Sequence, residues 1–303
     1  MIYTLTLNPA VDYHLLEIKD GKIHQSYTTP GGKGINVSQM LSHLGISSVV
    51  MGFFGGFTGD YIIHELKGFE NIKTDIVKIE QDSRINVKFH GEEEVAYNHI
   101  GPIISDENVY QLLHKVEGLG SNDLLVMSGR GLPHQDDLYE KIVQICSKKH
   151  ISFVLDLEGQ KIKALTSYKP LLVKPNLEEL EDAFNQEIKT TSQVIEYGKK
   201  LQRLGAKYVL ISLGKEGSIL ITEKNIYQAL PIDIDLISSV GAGDAMVAGF
   251  LSAYRKGLDL VTCFKLAVAC SVATAASKDM ATYDHVNKIL NKVIIKEIRD
   301  AYI

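Results

Sequence analysis

Cysteine is scarce in this chain, which has three among 303 residues: Cys146, Cys263 and Cys270. Their spacing matches no metal site, and an odd number cannot all pair. They read as reduced core thiols of a cytoplasmic protein. Basic residues are not in excess, with 32 Lys and Arg against 37 Asp and Glu and a formal net charge of -5. That balance argues against a nucleic-acid partner, which needs a basic footprint. A small anionic ligand stays open, because it feels the local field of its pocket. Charge interrupts every apolar stretch well before the roughly 18 residues of a membrane span. The first residues carry no charged leader and no cleavage site of a signal peptide. No Pro-rich or Ser-rich run, charge block or 20-to-50-residue repeat divides the chain.

What is present is a regular alternation of short apolar runs with helix-period segments. Strands are predicted at Ile2–Leu7, Val49–Phe54, Leu124–Ser128, Phe153–Leu157, Leu171–Val173 and Tyr208–Leu213. Helices are predicted at Ile35–Leu44, Asp106–Val116, Asp136–Lys148, Thr191–Leu204, Ala245–Arg255, Val261–Ala276 and His285–Arg299. In the first, Val37, Met40, Leu41 and Leu44 fall at i, i+3, i+4 and i+7 and form one buried face. Uniformly apolar strands between helices predict an α/β fold, a parallel sheet covered on both sides. Tyr13–Thr29 and Arg84–Asn98 break the rhythm. They read as strands of a small β-layer beside the main sheet, with Arg84, Asn86 and Lys88 on one face and Ile85, Val87 and Phe89 on the other.

Four predicted strands end in polar turns: Ser128-Gly129-Arg130, Asp156-Leu157-Glu158-Gly159, Lys174-Pro175-Asn176 and Ser212-Leu213-Gly214. Open α/β sheets bind ligands outside the carboxyl ends of their strands. The sharpest motif is Gly241-Ala242-Gly243-Asp244 at the start of a helix. Glycines there leave backbone N–H groups exposed to an anion, and the helix dipole assists. Asp244 can be an N-cap, or a base that accepts the proton of an attacking hydroxyl. Gly31-Gly32-Lys33-Gly34-Ile35-Asn36 opens another helix and is either a flexible turn or an anion or sugar site. Asn176 and Glu179 lie three apart, which suits an N-terminal capping box and also suits ordering magnesium-bound water near ATP. Ser212–Gly217 is a glycine-punctuated turn that suits a nucleotide-lining loop. The histidines at 14, 24, 43, 64, 90, 99 and 134 show no metal or catalytic pairing.

In order along the chain, these motifs resemble the PfkB-type, ribokinase-like carbohydrate kinase family. The resemblance rests on Thr6–Asp12, Gly31–Asn36, Ser83–Lys88, Val173–Glu179, Ile211–Gly217 and Ser239–Asp244. It implies one domain over 1–303: a three-layer ribokinase-like sandwich with a small β-sheet lid at about 12–30 and 84–100. Within the family, Ser-Arg-Ile-Asn-Val-Lys is similar to the branch that phosphorylates fructose 1-phosphate to the 1,6-bisphosphate. Tagatose-6-phosphate kinases come next. The resemblance further implies Asp244 as general base and Gly241, Ala242 and Gly243 as anion hole. Asp12 and Asn36 would bind sugar hydroxyls, and Gly32 would also contact the substrate. Lys33, Arg84 and Lys88 would bind the substrate phosphate. Lys174, Asn176 and Glu179 would serve ATP and Mg2+, the last two through water. Ser212, Gly214 and Gly217 would line the nucleotide site. Family members often pair their lids into a homodimer.

The chain departs from the family where Ser128-Gly129-Arg130-Gly131-Leu132-Pro133 replaces Ser-Gly-Ser-Leu-Pro. Ser128 and Arg130 then become candidate substrate contacts, Arg130 as an added phosphate ligand. Two other readings compete. A non-catalytic sugar-phosphate sensor has no need of a base beside an anion hole. A kinase for a neutral sugar or nucleoside has little use for Lys33, Arg84 and Lys88 together.

Overall fold

A computed structural model describes residues 1–90, 94–132 and 134–298. Among them, one large sheet runs in the order Ile295–Ile298, Ile226–Ala229, Ser218–Ile221, Tyr208–Ser212, Leu172–Val173, Ser152–Asp156, Leu124–Ser128, Ile2–Thr6, Ser48–Gly55 and Ile72–Thr74. Val77–Ile79 pairs further along Ser48–Gly55. The strands from Tyr208–Ser212 to Ile72–Thr74 are parallel, and the other three form an antiparallel edge.

The apolar strands are buried on both faces, so successive side chains feed opposite cores. In Leu124–Ser128, Leu125 and Met127 join the core under helices Asp106–Glu117, Leu138–Lys149 and Thr191–Leu204. Leu124 and Val126 join the core under Lys33–His43, Ala242–Arg255 and Leu260–Ala275. Helix, sheet and helix are the three expected layers. All three cysteines are buried and unpaired. No helix among the described residues is long and apolar enough to cross a membrane.

The second sheet, expected from the two irregular segments, has the order Lys22–Gly31, Ala10–Lys19, Arg84–His90 and Glu94–Asn98. Asp20 and Gly21 both hold positive φ (50° and 68°) and turn the first hairpin. That is the two-residue turn whose twist matches its strands. One of its strands has burial inverted relative to an ordinary surface sheet. In Arg84–His90 the polar Asn86 and Lys88 are buried, while Ile85 is 42% exposed. The polar face therefore looks inward, onto the end of the main sheet.

Two expectations about elements needed revision. His285–Arg299 is not one helix. A helix spans Tyr283–Leu290, and Ile295–Ile298 is a strand paired with Ile226–Ala229. β-Branched Val293, Ile294 and Ile295 favour the open sheet edge over a helix continuation; Arg299 lies outside the described residues. The helix Gly56–Leu66 was not among the predicted helices; Gly56 and Gly59 in its first turn weaken the local helix signal.

Candidate active site

Strands Leu124–Ser128, Ser152–Asp156, Leu172–Val173 and Tyr208–Ser212 are consecutive neighbours, so their polar turns share one rim of the sheet. Two helix starts meet there. Lys33–His43 is docked on the first strand by Ile35 N, which donates to Thr6 Oγ1 at 3.1 Å. Ala242–Arg255 begins after Gly241, whose φ of 76° is a left-handed conformation that glycine adopts without strain. The two starts are tied by Asn36, whose Nδ2 donates to Asp244 Oδ2 at 2.8 Å.

Asp244 is only 4% exposed. Burial raises its carboxyl pKa to about 7, and the nearby Asp156 adds to the shift. Lys33, the Asn36 hydrogen bond and Lys174 oppose it. No side-chain bond caps the helix here, so the N-cap role considered for Asp244 is absent.

Asp156, at the end of its strand, is the organising anion of the floor. Its Oδ1 lies 3.1 Å from Lys174 Nζ and 3.5 Å from Lys33 Nζ. Burial pushes its carboxyl up, but the two lysines outweigh burial and hold it below the usual range. Asp156 in turn raises the pKa of Lys33. Lys174 Nζ sits 3.1 Å from where a Cβ on Gly243 would stand, so its charge is set against the glycine turn. Lys33 also lies 3.7 Å from Glu179 Oε1.

Asn176 and Glu179 form the capping box of helix Leu177–Phe184: Glu179 N donates to Asn176 Oδ1 and Asn176 N to Glu179 Oε2. Asn176 also makes a parallel bridge to Ser212. Gly217, at φ 92°, has no room for a side chain, because Ala229 O lies 2.2 Å from the Cβ position.

A cleft of about 950 Å³ runs between this rim and the small sheet. Every site residue singled out from the sequence lines it, apart from Ser128 and Arg130. Ser128 is buried, and its Oγ has no hydrogen-bond partner. Arg130 has an 87% exposed side chain paired with Glu158 at 2.5 Å. Arg84 donates from Nε to Asn8 O at 3.1 Å and from its guanidinium to His99 O at 3.2 Å. Two of its five N–H donors are thus committed. Lys88 does not extend toward open space, and its Nζ lies 2.6 Å from Asp12 Oδ2.

Sequence reasoning missed three features. Asp156 was noticed only as part of a turn. Asn86 was read as a face-mate of Arg84, yet it donates to Asp12 Oδ1 at 2.7 Å. One end of the cleft is aliphatic, formed by Ile232, Ile234, Leu236, Val268, Val272 and Ala275. Ile232, Ile234 and Leu236 lie in a segment with no regular secondary structure, so periodicity carried no signal.

Comparison with known proteins agrees with this architecture. The model of the pfkB family carbohydrate kinases matches residues 5–285. The chain is 40% identical over 306 residues to the 1-phosphofructokinase of Bacillus subtilis, covering 98% of this chain and 100% of that one. It is 32% identical to the D-tagatose-1-phosphate kinase of Bacillus licheniformis, with 98% and 100% covered. The tagatose kinase found is thus named for the 1-phosphate, not the 6-phosphate. The crystal structure of phosphofructokinase-2 from Escherichia coli in complex with substrates and products superposes with a TM-score of 0.89 at 29% identity, covering 96% of this chain and 98% of that one. With the family model spanning nearly its whole length and full-length relatives on either side of one-third identity, the chain belongs to the pfkB family of carbohydrate kinases.

Proposed function

We propose that this protein transfers the γ-phosphoryl group of ATP to the 6-hydroxyl of fructose 1-phosphate, giving fructose 1,6-bisphosphate and ADP. The observation that carries the reading is Asp244, a buried carboxylate with its pKa near 7 beside the glycine turn of a helix start. A base poised near the working pH takes the proton of the attacking hydroxyl as the O–P bond forms and ADP leaves. The N–H groups of Gly241 and Gly243, and Ala242 N–H once it leaves its long 3.4 Å bond to Ser239 O, would meet the transferring phosphoryl oxygens, with Lys174 against the same turn. Lys33, beside Asp156 and Glu179, would lend its charge to that side of the cleft; these contacts favour the phosphoryl over the sugar's own phosphate.

Asp12, Gly32 and Asn36 meet the sugar hydroxyls, and Arg84 meets the 1-phosphate from the small sheet, which acts as a lid. The aliphatic end of the cleft takes the nucleotide base, with Ser212, Gly214 and Gly217 beside it. Capping uses the one side-chain oxygen of Asn176 and one of the two of Glu179. It leaves Glu179 Oε1 on the cleft side, which fits a magnesium ion held through water. That ion would shield the phosphate charge of ATP. No cluster of three His, Cys, Asp or Glu among the described residues offers a direct site. The exposed Ile18, Ile23, Ile85, Val95 and Tyr97 on the small sheet support a homodimer through the lid.

The second reading is D-tagatose 1-phosphate, which the Bacillus licheniformis relative supports at lower identity. A sensor is disfavoured, because binding alone has no use for a proton acceptor buried at a destabilising cost beside a glycine helix start. The test is ATP turnover with fructose 1-phosphate, tagatose 1-phosphate, fructose 6-phosphate and free fructose. The highest kcat/KM is expected for fructose 1-phosphate, and faster turnover of free fructose sinks the reading.

A further inference from the structure

Asp12 sits on the strand Ala10–Lys19, directly opposite Asn86 on the parallel strand Arg84–His90. Lys88, two residues further on, shares that face. Each oxygen of the Asp12 carboxylate has its own donor. Asn86 Nδ2 lies 2.7 Å from Oδ1, and Lys88 Nζ lies 2.6 Å from Oδ2. The third side is closed by Gly31 on the neighbouring strand, where a Cβ would stand 2.5 Å from Oδ2 and 2.8 Å from Oδ1. The side chains of Asp12 and Lys88 are only 11% and 9% exposed. Two donors and a backbone wall leave the carboxylate one open direction, the cleft that it lines with Asn36 and Asp244.

The amide of Asn86 is oriented by this bond. An amide nitrogen must face the carboxylate, which turns Oδ1 away, and that atom is buried without a partner. Asn86 therefore keeps at most the second N–H of Nδ2 for a substrate in the cleft that it lines. Lys88 is in a similar position. Swinging its ammonium to a phosphate would strip a buried carboxylate of its counter-ion, which proteins tolerate poorly. Arg84 on the same strand makes no such commitment, because its bonds go to neutral carbonyls.

We propose that Asn86 and Lys88 are positioning residues for Asp12, holding its carboxylate where a sugar hydroxyl reaches it, and that the Lys88 charge belongs to Asp12 and not to the substrate's phosphate. The inference rests on the functional reading above for the role of Asp12, while the pairing itself stands without it. Gly31 is part of the same device, since any side chain there would displace the carboxylate.

The test is a double-mutant cycle on the intact protein with fructose 1-phosphate and MgATP. Lys88→Met is expected to raise the sugar-phosphate KM at least about tenfold, with kcat changed much less and KM for MgATP within about twofold. Lys88→Arg should recover part of the loss. In the Asp12→Asn background, adding Lys88→Met should change KM by less than about twofold. Equal loss in both backgrounds overturns the proposal and returns Lys88 to the phosphate. Where Asp12→Asn is too weak to assay, Gly31→Ala replaces it. It should itself raise KM and should combine with Lys88→Met less than multiplicatively, whereas full multiplication overturns the proposal. If the parent turns over no ketose phosphate, the functional reading has failed and the pairing is read from thermal unfolding. Lys88→Met should then lower Tm by several degrees and Asp12→Asn/Lys88→Met should regain part of it. An unchanged Tm in Lys88→Met overturns the pairing.

Discussion

Asn36 and Asp244, 208 residues apart in sequence, share a hydrogen bond of 2.8 Å at the point where two helix starts face each other. The bond favours the charged form of Asp244, and burial, the larger effect, favours the neutral one. The balance near pH 7 is what a general base requires, and it makes the site sensitive to pH.

The first expectation concerns that sensitivity. The acid limb of kcat/KM for the sugar phosphate should fall with a slope of one below about pH 7, since kcat/KM reports the free enzyme. Stability should carry the opposite trend. Between about pH 4 and 7 the folded state keeps a proton on Asp244 that the unfolded chain has lost, so this group's contribution to stability falls as pH rises. A raised pKa of about three units corresponds to a cost of up to roughly 4 kcal/mol above pH 7. Asp244→Asn should therefore unfold at a higher temperature than the parent at pH 8 and at a similar one at pH 4. Equal Tm differences at both values would contradict the assignment.

Asp156 offers a second test through its field. It contributes to the raised pKa of Asp244, and Lys33 and Lys174 are anchored on it. Asp156→Asn should move the acid limb of kcat/KM to lower pH while lowering kcat, because both ammonium groups lose their anchor. An acid limb that stays in place would show that Asp156 does not tune the base.

The candidate site was legible where a residue carries a local signal. Glycines before a helix start, with Asp244 after them, mark a candidate anion site within four residues. The alternation in Arg84–His90 declared a shared face, but not that this face is buried; that follows from the lid lying over the rim. Asp156 had no such signal. Its meaning arises only when Lys33, 123 residues earlier, and Lys174 converge on one oxygen. Asn176 and Glu179 illustrate the opposite case: the capping-box spacing was legible and is formed, and it still leaves Glu179 Oε1 outside the cap. The strand Ile295–Ile298 was hidden because tertiary pairing with Ile226–Ala229 decided its conformation, not its helix-compatible spacing.

Arg84 offers a test of substrate recognition apart from chemistry. Arg84→Ala should raise KM for the sugar phosphate at least about tenfold, the loss of one charge-assisted hydrogen bond of about 1.4 kcal/mol or more. KM for MgATP should stay within about twofold. A variant that binds sugar phosphate like the parent would shift the phosphate site to Arg130, which is exposed beside Glu158.

The inverted burial of one strand of the small sheet bears on assembly. With Ile85 exposed on a strand whose Asn86 and Lys88 are buried, and Tyr97 exposed on the strand beside it, Ile85→Asp should convert a dimer to monomers in sedimentation velocity. A parent that sediments as a monomer at micromolar concentration contradicts the lid-to-lid contact.

The most direct test of the whole account is the turnover of Asp244→Asn, measured with ATP binding on the same folded sample. Asparagine keeps the size of the side chain and its hydrogen bonding but cannot take a proton. The account expects kcat to fall at least about 100-fold, the low end of what a general base contributes, with ATP affinity little changed. A folded Asn variant with near-parental kcat would contradict it, and Asp244 would then be a structural residue of the helix start and no base.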